Sequence, residues 1–216
     1  MIETLLKNDL PQAYGLTRSN VTLNYHSETG TFELEDQVAC HNCKQKFPDR
    51  NGCNERTMKI DASDNTITIV EYEDYINQFN GKNYANGGRC DLMMFDADNH
   101  KVSFCDLGCY SEEHVEKKQK KSHQQVCDSL VRFLRQPCGR TFINQFDEKV
   151  LIFGRRDPAV NPHAVVSTPA RGNVKLNMQA FLINPFSKPK YAVSTEVVEG
   201  VNVNFVIVNY PETYVW

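Results

Sequence analysis

RCDLMMFDADNHKVSFCDLGC, residues 89–109, holds the key to the fold. Arg89–Asp96 and Lys101–Leu107 are short apolar runs of strand length, and the ADNH between them has the turn chemistry of a β-hairpin. The two runs are therefore expected to pair antiparallel. Asp91 then stands near the beginning of one strand and Asp106 near the end of the next, so both carboxylates fall at the same edge of the pair.

Upstream, Thr66–Val70 reads as a strand, residues 73–79 (EDYINQF) as a short helix, and NGKNYANGG as a glycine-rich turn. Downstream, Ser111 followed by Glu112 and Glu113 opens a long helix over 112–136, with Pro137 and Gly139 closing it. At 100° per residue, Val126, Cys127, Leu130, Val131, Phe133 and Leu134 share one apolar stripe. Continued backwards, the stripe includes Gln119 and His123, with Lys120 at its inward edge. Glu148–Arg155 supplies a third central strand, parallel to its neighbour after the helical crossover. From Asn173 onward, VKLNMQAFLI reads as a helix, and Lys190–Val198 and Val203–Val208 as strands around a Glu-Gly turn. The last section is expected to form a closing α-β-β layer.

The reading is thus an α/β fold with a mixed sheet over residues 65–216, preceded by a loop-rich section, residues 1–64. The net charge of -3 gives no general attraction to phosphate backbones or anionic membranes, so nucleic-acid binding would need a local patch. The densest charge cluster, EKKQKK at 116–121, suits either a solvated helical face or phosphate contacts. No window reaches the roughly 18 apolar residues of a membrane span. The beginning, MIETLLKNDLPQAYG, has neither the basic lead nor the long apolar run of a secretion signal, which points to a cytoplasmic protein whose eight cysteines are thiols.

Cys40, Cys43 and Cys53 form C-x2-C-x9-C. The first pair has zinc-knuckle spacing but lacks a nearby fourth ligand, so structural zinc, a disulfide and plain thiols all stay open. Two converging carboxylates at Asp91 and Asp106 suit a divalent cation such as magnesium. Equally, Asp91 could open a strand and Asp106 cap the next helix. His123 fits a core histidine, or a base for a cysteine nucleophile at Cys105 or Cys109.

The run from Arg89 to Cys109, the long helix after it and the strand VLIFGRRDP together resemble the PD-(D/E)XK nuclease superfamily, over residues 66–160. Within it they are similar to a bacterial group with a cysteine after the second acidic motif. The resemblance implies a restriction-endonuclease-like core with Asp91 as the first motif acid and Asp106 as the acid of the (D/E)XK element. Gly108 stands where the motif lysine belongs. The resemblance also implies that Lys120 could replace that cation, that Gln125 matches a helix glutamine of such proteins, and that Glu73 could complete the metal site. Two functions follow. One is a magnesium-dependent phosphodiesterase acting on nucleic acid. The other is a catalytically inactive nuclease-fold protein that binds a protein partner or acts as an immunity-type module.

Overall fold

The computed structural model describes residues 2–17, 20–38, 53–96, 98, 100–110, 115–157 and 192–216. Among them the chain builds a mixed α/β fold around one eight-stranded sheet of order β1-β2-β3-β4-β5-β7-β6, with β8 pairing β2. The strands are β1 (Tyr25–Val38), β2 (Cys53–Glu71), β3 (Leu92–Asp96), β4 (Lys101–Cys109), β5 (Glu148–Arg156), β6 (Ala192–Val198), β7 (Val201–Asn209) and β8 (Thr213–Val215). The helices are α1 (Ile2–Thr4), continued by a π-helical stretch, Leu5–Asp9, into α2 (Leu10–Ala13), then α3 (Tyr72–Asn77), α4 (Val115–Leu134) and α5 (Pro137–Ile143).

The hairpin expected at 89–107 forms β3 and β4, which pair antiparallel from Leu92↔Cys105 to Phe95↔Val102. Asp96, 2 % exposed, closes its turn by accepting the amides of His100 (2.8 Å) and Lys101 (2.9 Å) and the indole N–H of Trp216 (3.0 Å). A buried carboxylate needs such donors, and here they fix where the hairpin reverses. After α4 the chain returns as β5, parallel to β4 from Lys101↔Glu148 to Cys109↔Arg156.

Alternation along these strands sorts the core into two faces. Met93, Val102, Phe104, Leu151 and Phe153 face α4 and meet its Val126, Leu130 and Phe133, with Leu6, Leu10, Tyr72, Tyr75 and Tyr84 around them. Met94, Cys105, Leu107, Val150, Ile152, Val206 and Val208 face the other way and meet Met58, Ile60 and Ala62 from the first half of β2. Gly154 marks that crossing. A Cβ there would lie 2.9 Å from Met58 Cβ and 2.8 Å from Leu107 Cδ2, so only glycine lets the layers approach so closely.

Several expectations change. The section before residue 64 is not loop-rich where it is described, because residues 25–38 and 53–71 form a long antiparallel ribbon. That ribbon belongs to the same sheet as the core. The long helix ends at Leu134, and Pro137 and Gly139 lie inside α5, where Pro137 occupies the first turn that tolerates it. β6 and β7 extend the central sheet rather than forming a separate layer, since β7 pairs parallel with β5. The Glu-Gly turn joins them as expected: Glu199 (φ 48°) and Gly200 (φ 80°) both adopt the left-handed region that a two-residue hairpin turn requires. Cys40, Cys43 and the VKLNMQAFLI segment lie outside the described residues, whereas Cys53 opens β2.

Candidate active site

β4, β5 and β7 run parallel, and their carboxyl ends lie side by side at Cys109, Arg156 and Asn209. In open α/β sheets such an edge is where ligands bind. Asp91 sits one residue before β3, opposite Asp106 when the register Leu92↔Cys105 is continued. By alternation Asp106 shares the α4 face with Phe104, and Asp91, in the bend before β3, is tied to β4 through the Leu107 amide. The expected pair is therefore brought to the carboxyl edge of the sheet.

Asp106 is 7 % exposed, and Asp91 is half-buried. Asp91 Oδ2 accepts the backbone N–H of Leu107 at 2.5 Å, which fixes the carboxylate next to Asp106 in β4. Burial raises the thiol pKa of Cys90, which Ser129 partly offsets and the charges of Asp91 and Asp106 reinforce. Both carboxylates thus act on one buried group. Oxygen-only donors of this kind suit a hard cation such as magnesium.

The loop leading to Asp91 is held by one face of α4. Gln125 Nε2 donates to Arg89 O (2.6 Å), and Gly88 N–H donates to Asp128 Oδ2 (2.6 Å). Cys90 N–H donates to Ser129 Oγ (3.0 Å), and Arg132, 4 % exposed, donates to Asn86 O (2.8 Å) and to Gly88 O. A Cβ on Gly88 would fall 2.7 Å from Gln125 Cα, so the loop and helix are in direct backbone contact. Gln125 therefore positions this loop.

Lys120 and Glu73 are placed elsewhere. Lys120 is 76 % exposed and pairs with Glu116 at 3.0 Å, so it does not reach inward. The first half of α4 is polar on most sides, and extending the apolar stripe backwards overestimates its burial. Glu73 is exposed at the start of α3, where its backbone N–H donates to Asp91 O at 3.0 Å. Among the described residues it joins no three-ligand group with the aspartates.

Gly108 lies on the same face as Asp106, and the ring of Tyr110 occupies the space beside it. A Cβ on Gly108 would sit 2.7 Å from Tyr110 Cε1. Tyr110 stacks on Phe153 with centroids 5.7 Å apart and planes at 12°. Arg155 is the register partner of Gly108 and puts its guanidinium carbon 5.7 Å from the centre of the Tyr110 ring. Its side chain is 13 % exposed and also meets Asp157 at 3.6 Å. Burial raises the Tyr110 hydroxyl pKa, with Arg155 opposing and Asp106 reinforcing the shift. Tyr110 Oη and Arg155 Nε have no hydrogen-bond partner among the described residues.

Sequence reasoning missed Tyr110 and Arg155. The available signal was RRDP following directly on the apolar run of β5, which places cations at a carboxyl strand end. Cys105 faces away from α4, and the cysteine beside His123 is Cys127, with its sulfur 3.8 Å from His123 Nε2. A separate cleft of about 380 Å³, lined by Tyr14, Asn86, Asp128 and Arg132 among others, includes neither aspartate. Among the described residues no helix is long and apolar enough to cross a membrane.

Comparison with protein-family models, with curated proteins and with solved structures finds no match to this chain.

Proposed function

We propose that this chain is a nuclease-like protein that hydrolyses nucleic-acid phosphodiesters, with Asp91 and Asp106 holding a magnesium ion. One observation carries the reading: Asp91 and Asp106 come to the same carboxyl edge of the sheet, with Asp91 tied to β4 through Leu107 N–H. The β2-β3-β4 meander followed by α4 and the parallel β5 supports it, since that connectivity accompanies the motif in the superfamily the sequence resembles.

Magnesium, when bound, polarises a phosphoryl oxygen and lowers the pKa of a coordinated water. The chain's own residues do the rest. Asp91 and Asp106 orient the ion, and α4 holds the 86–90 loop so that Asp91 keeps its place. Arg155, on the strand position beside Gly108, replaces the motif lysine as the cation facing the phosphate. The Tyr110 ring packs beneath the Arg155 guanidinium and holds it beside Gly108.

A second reading, a catalytically inactive nuclease-fold protein that binds a partner, is favoured by the Tyr110 ring filling the space beside Gly108. The deciding experiment is magnesium and manganese titration against single- and double-stranded DNA and RNA, comparing wild type with Asp106→Ala. Cleavage that vanishes in the variant supports the enzyme. Absence of cleavage under all conditions, or cleavage unchanged in Asp106→Ala, overturns it in favour of the scaffold.

A further inference from the structure

α4 presents His123 and Cys127 on one face, four residues apart, and Glu196 of β6 reaches the same point. His123 Nε2 lies 2.7 Å from Glu196 Oε2 and 3.8 Å from Cys127 Sγ. The three ligand atoms all fall within 4.8 Å of one another. The His123 ring is held edge-on against Phe205, with centroids 4.8 Å apart. Glu196 is fixed by its register with Val203, three positions before the tight Glu199-Gly200 turn. The side chains of His123 and Glu196 are 36 % and 31 % exposed, so solvent reaches the cluster from one side.

We propose that His123, Cys127 and Glu196 form a binding site for a divalent transition metal of the zinc type, with three protein ligands and a fourth position open to water. The donor set is one nitrogen, one sulfur and one oxygen, the combination that zinc accepts and that magnesium or calcium does not. Tetrahedral zinc with bonds of about 2.0–2.3 Å separates nitrogen from sulfur by about 3.5 Å and nitrogen from oxygen by about 3.3 Å. From the present separations, nitrogen and oxygen open by about 0.6 Å and nitrogen and sulfur close by about 0.3 Å to reach that geometry, changes that side-chain rotation supplies.

A Cys-His-Glu nucleophilic triad fits the geometry less well. Such a relay needs the base to meet the nucleophile through one ring nitrogen and the carboxylate through the other. Here Cys127 Sγ is nearly equidistant from Nε2 (3.8 Å) and Nδ1 (3.9 Å), so neither ring nitrogen is aimed at it as a base, while Nε2 meets Glu196 at 2.7 Å. The metal would tie the β6–β7 hairpin to α4. Neither Asp91 nor Asp106 belongs to the cluster, so the proposal does not depend on the phosphodiesterase reading.

The test is cobalt(II) titration of the full chain, with zinc as competitor. Wild type is expected to show, at one equivalent, tetrahedral visible bands and a thiolate-to-cobalt charge-transfer band that zinc abolishes. Cys127→Ser removes the charge-transfer band, and Glu196→Gln weakens binding on the order of 10–100-fold. The triple variant Cys40→Ser, Cys43→Ser, Cys53→Ser keeps the band, which separates this site from the N-terminal cysteines. No band in wild type, a band surviving in Cys127→Ser, or a band lost in the triple variant overturns the proposal. If Cys127→Ser does not fold, Glu196→Gln decides, and unchanged affinity there overturns it.

Discussion

The Tyr110 ring occupies the room that a side chain at residue 108 would need, with Cε1 2.7 Å from the position of a Cβ on Gly108. The ring is braced by Phe153 on one strand and Arg155 beside it, so it cannot swing aside without losing those contacts. Placing a lysine at residue 108 is therefore a packing problem as well as a chemical one.

Gly108→Lys is expected to destabilise the fold by about 1–3 kcal/mol, the usual range for forcing atoms into a packed site. In a Tyr110→Ala background the same substitution should cost clearly less, because the obstructing ring is gone. Urea unfolding of the two single variants and the double variant measures the coupling. Equal costs in both backgrounds would contradict the steric account.

Arg132 holds the approach to Asp91 from inside the core. Its guanidinium donates to the carbonyls of Asn86 and Gly88, and removing it leaves those acceptors without their buried donor. Arg132→Met keeps much of the side chain's volume and should still lower stability by about 1–3 kcal/mol. It should also speed amide hydrogen exchange at Gly88 and Cys90, whose N–H groups bond α4 next to Arg132. Unchanged exchange at both amides would mean that the loop is held by other contacts.

These contacts show why parts of the molecule were legible and others not. β3, β4 and β5 were readable because both their faces are covered, which leaves short apolar runs bounded by turn residues. β1 was not readable: it is an edge strand, YHSETGTFELEDQV, in which Leu34 is buried while Tyr25 is 45 % exposed, so no apolar alternation marks it. β2 was recognised only at Thr66–Val70, where it pairs with both β1 and β3. That Asp91 and Asp106 share an edge follows from the hairpin register. Arg132 was not legible, because a charged residue on a helix is expected to face water. Glu196 lies 73 residues from His123, and no local pattern announces a partner at that distance.

Alkaline pH should unfold the protein. Burial raises the pKa of Cys90, Cys105, Tyr72, Tyr75 and Tyr84 above their ordinary values, since each must stay neutral in the core. For groups raised in the folded state, the stability they contribute is complete below the unfolded pKa and falls as pH rises past it. That loss begins at about pH 8.5 for the thiols and about pH 10 for the phenols, at about 1.4 kcal/mol per pH unit for each group. The urea midpoint at pH 10 should be clearly lower than at pH 7.5. Equal midpoints would show that these groups ionise without unfolding.

The central claim, that Asp91 and Asp106 share one magnesium ion, is tested most directly by calorimetric magnesium titration of wild type, Asp91→Asn and Asp106→Asn. Asparagine keeps an oxygen able to accept Leu107 N–H, so Asp91→Asn removes charge while leaving the hydrogen bond to β4 available. The account predicts one site in wild type, with the binding heat lost in both variants and their folds intact by circular dichroism. Magnesium binding that persists unchanged in either variant, or no binding in wild type, would contradict it.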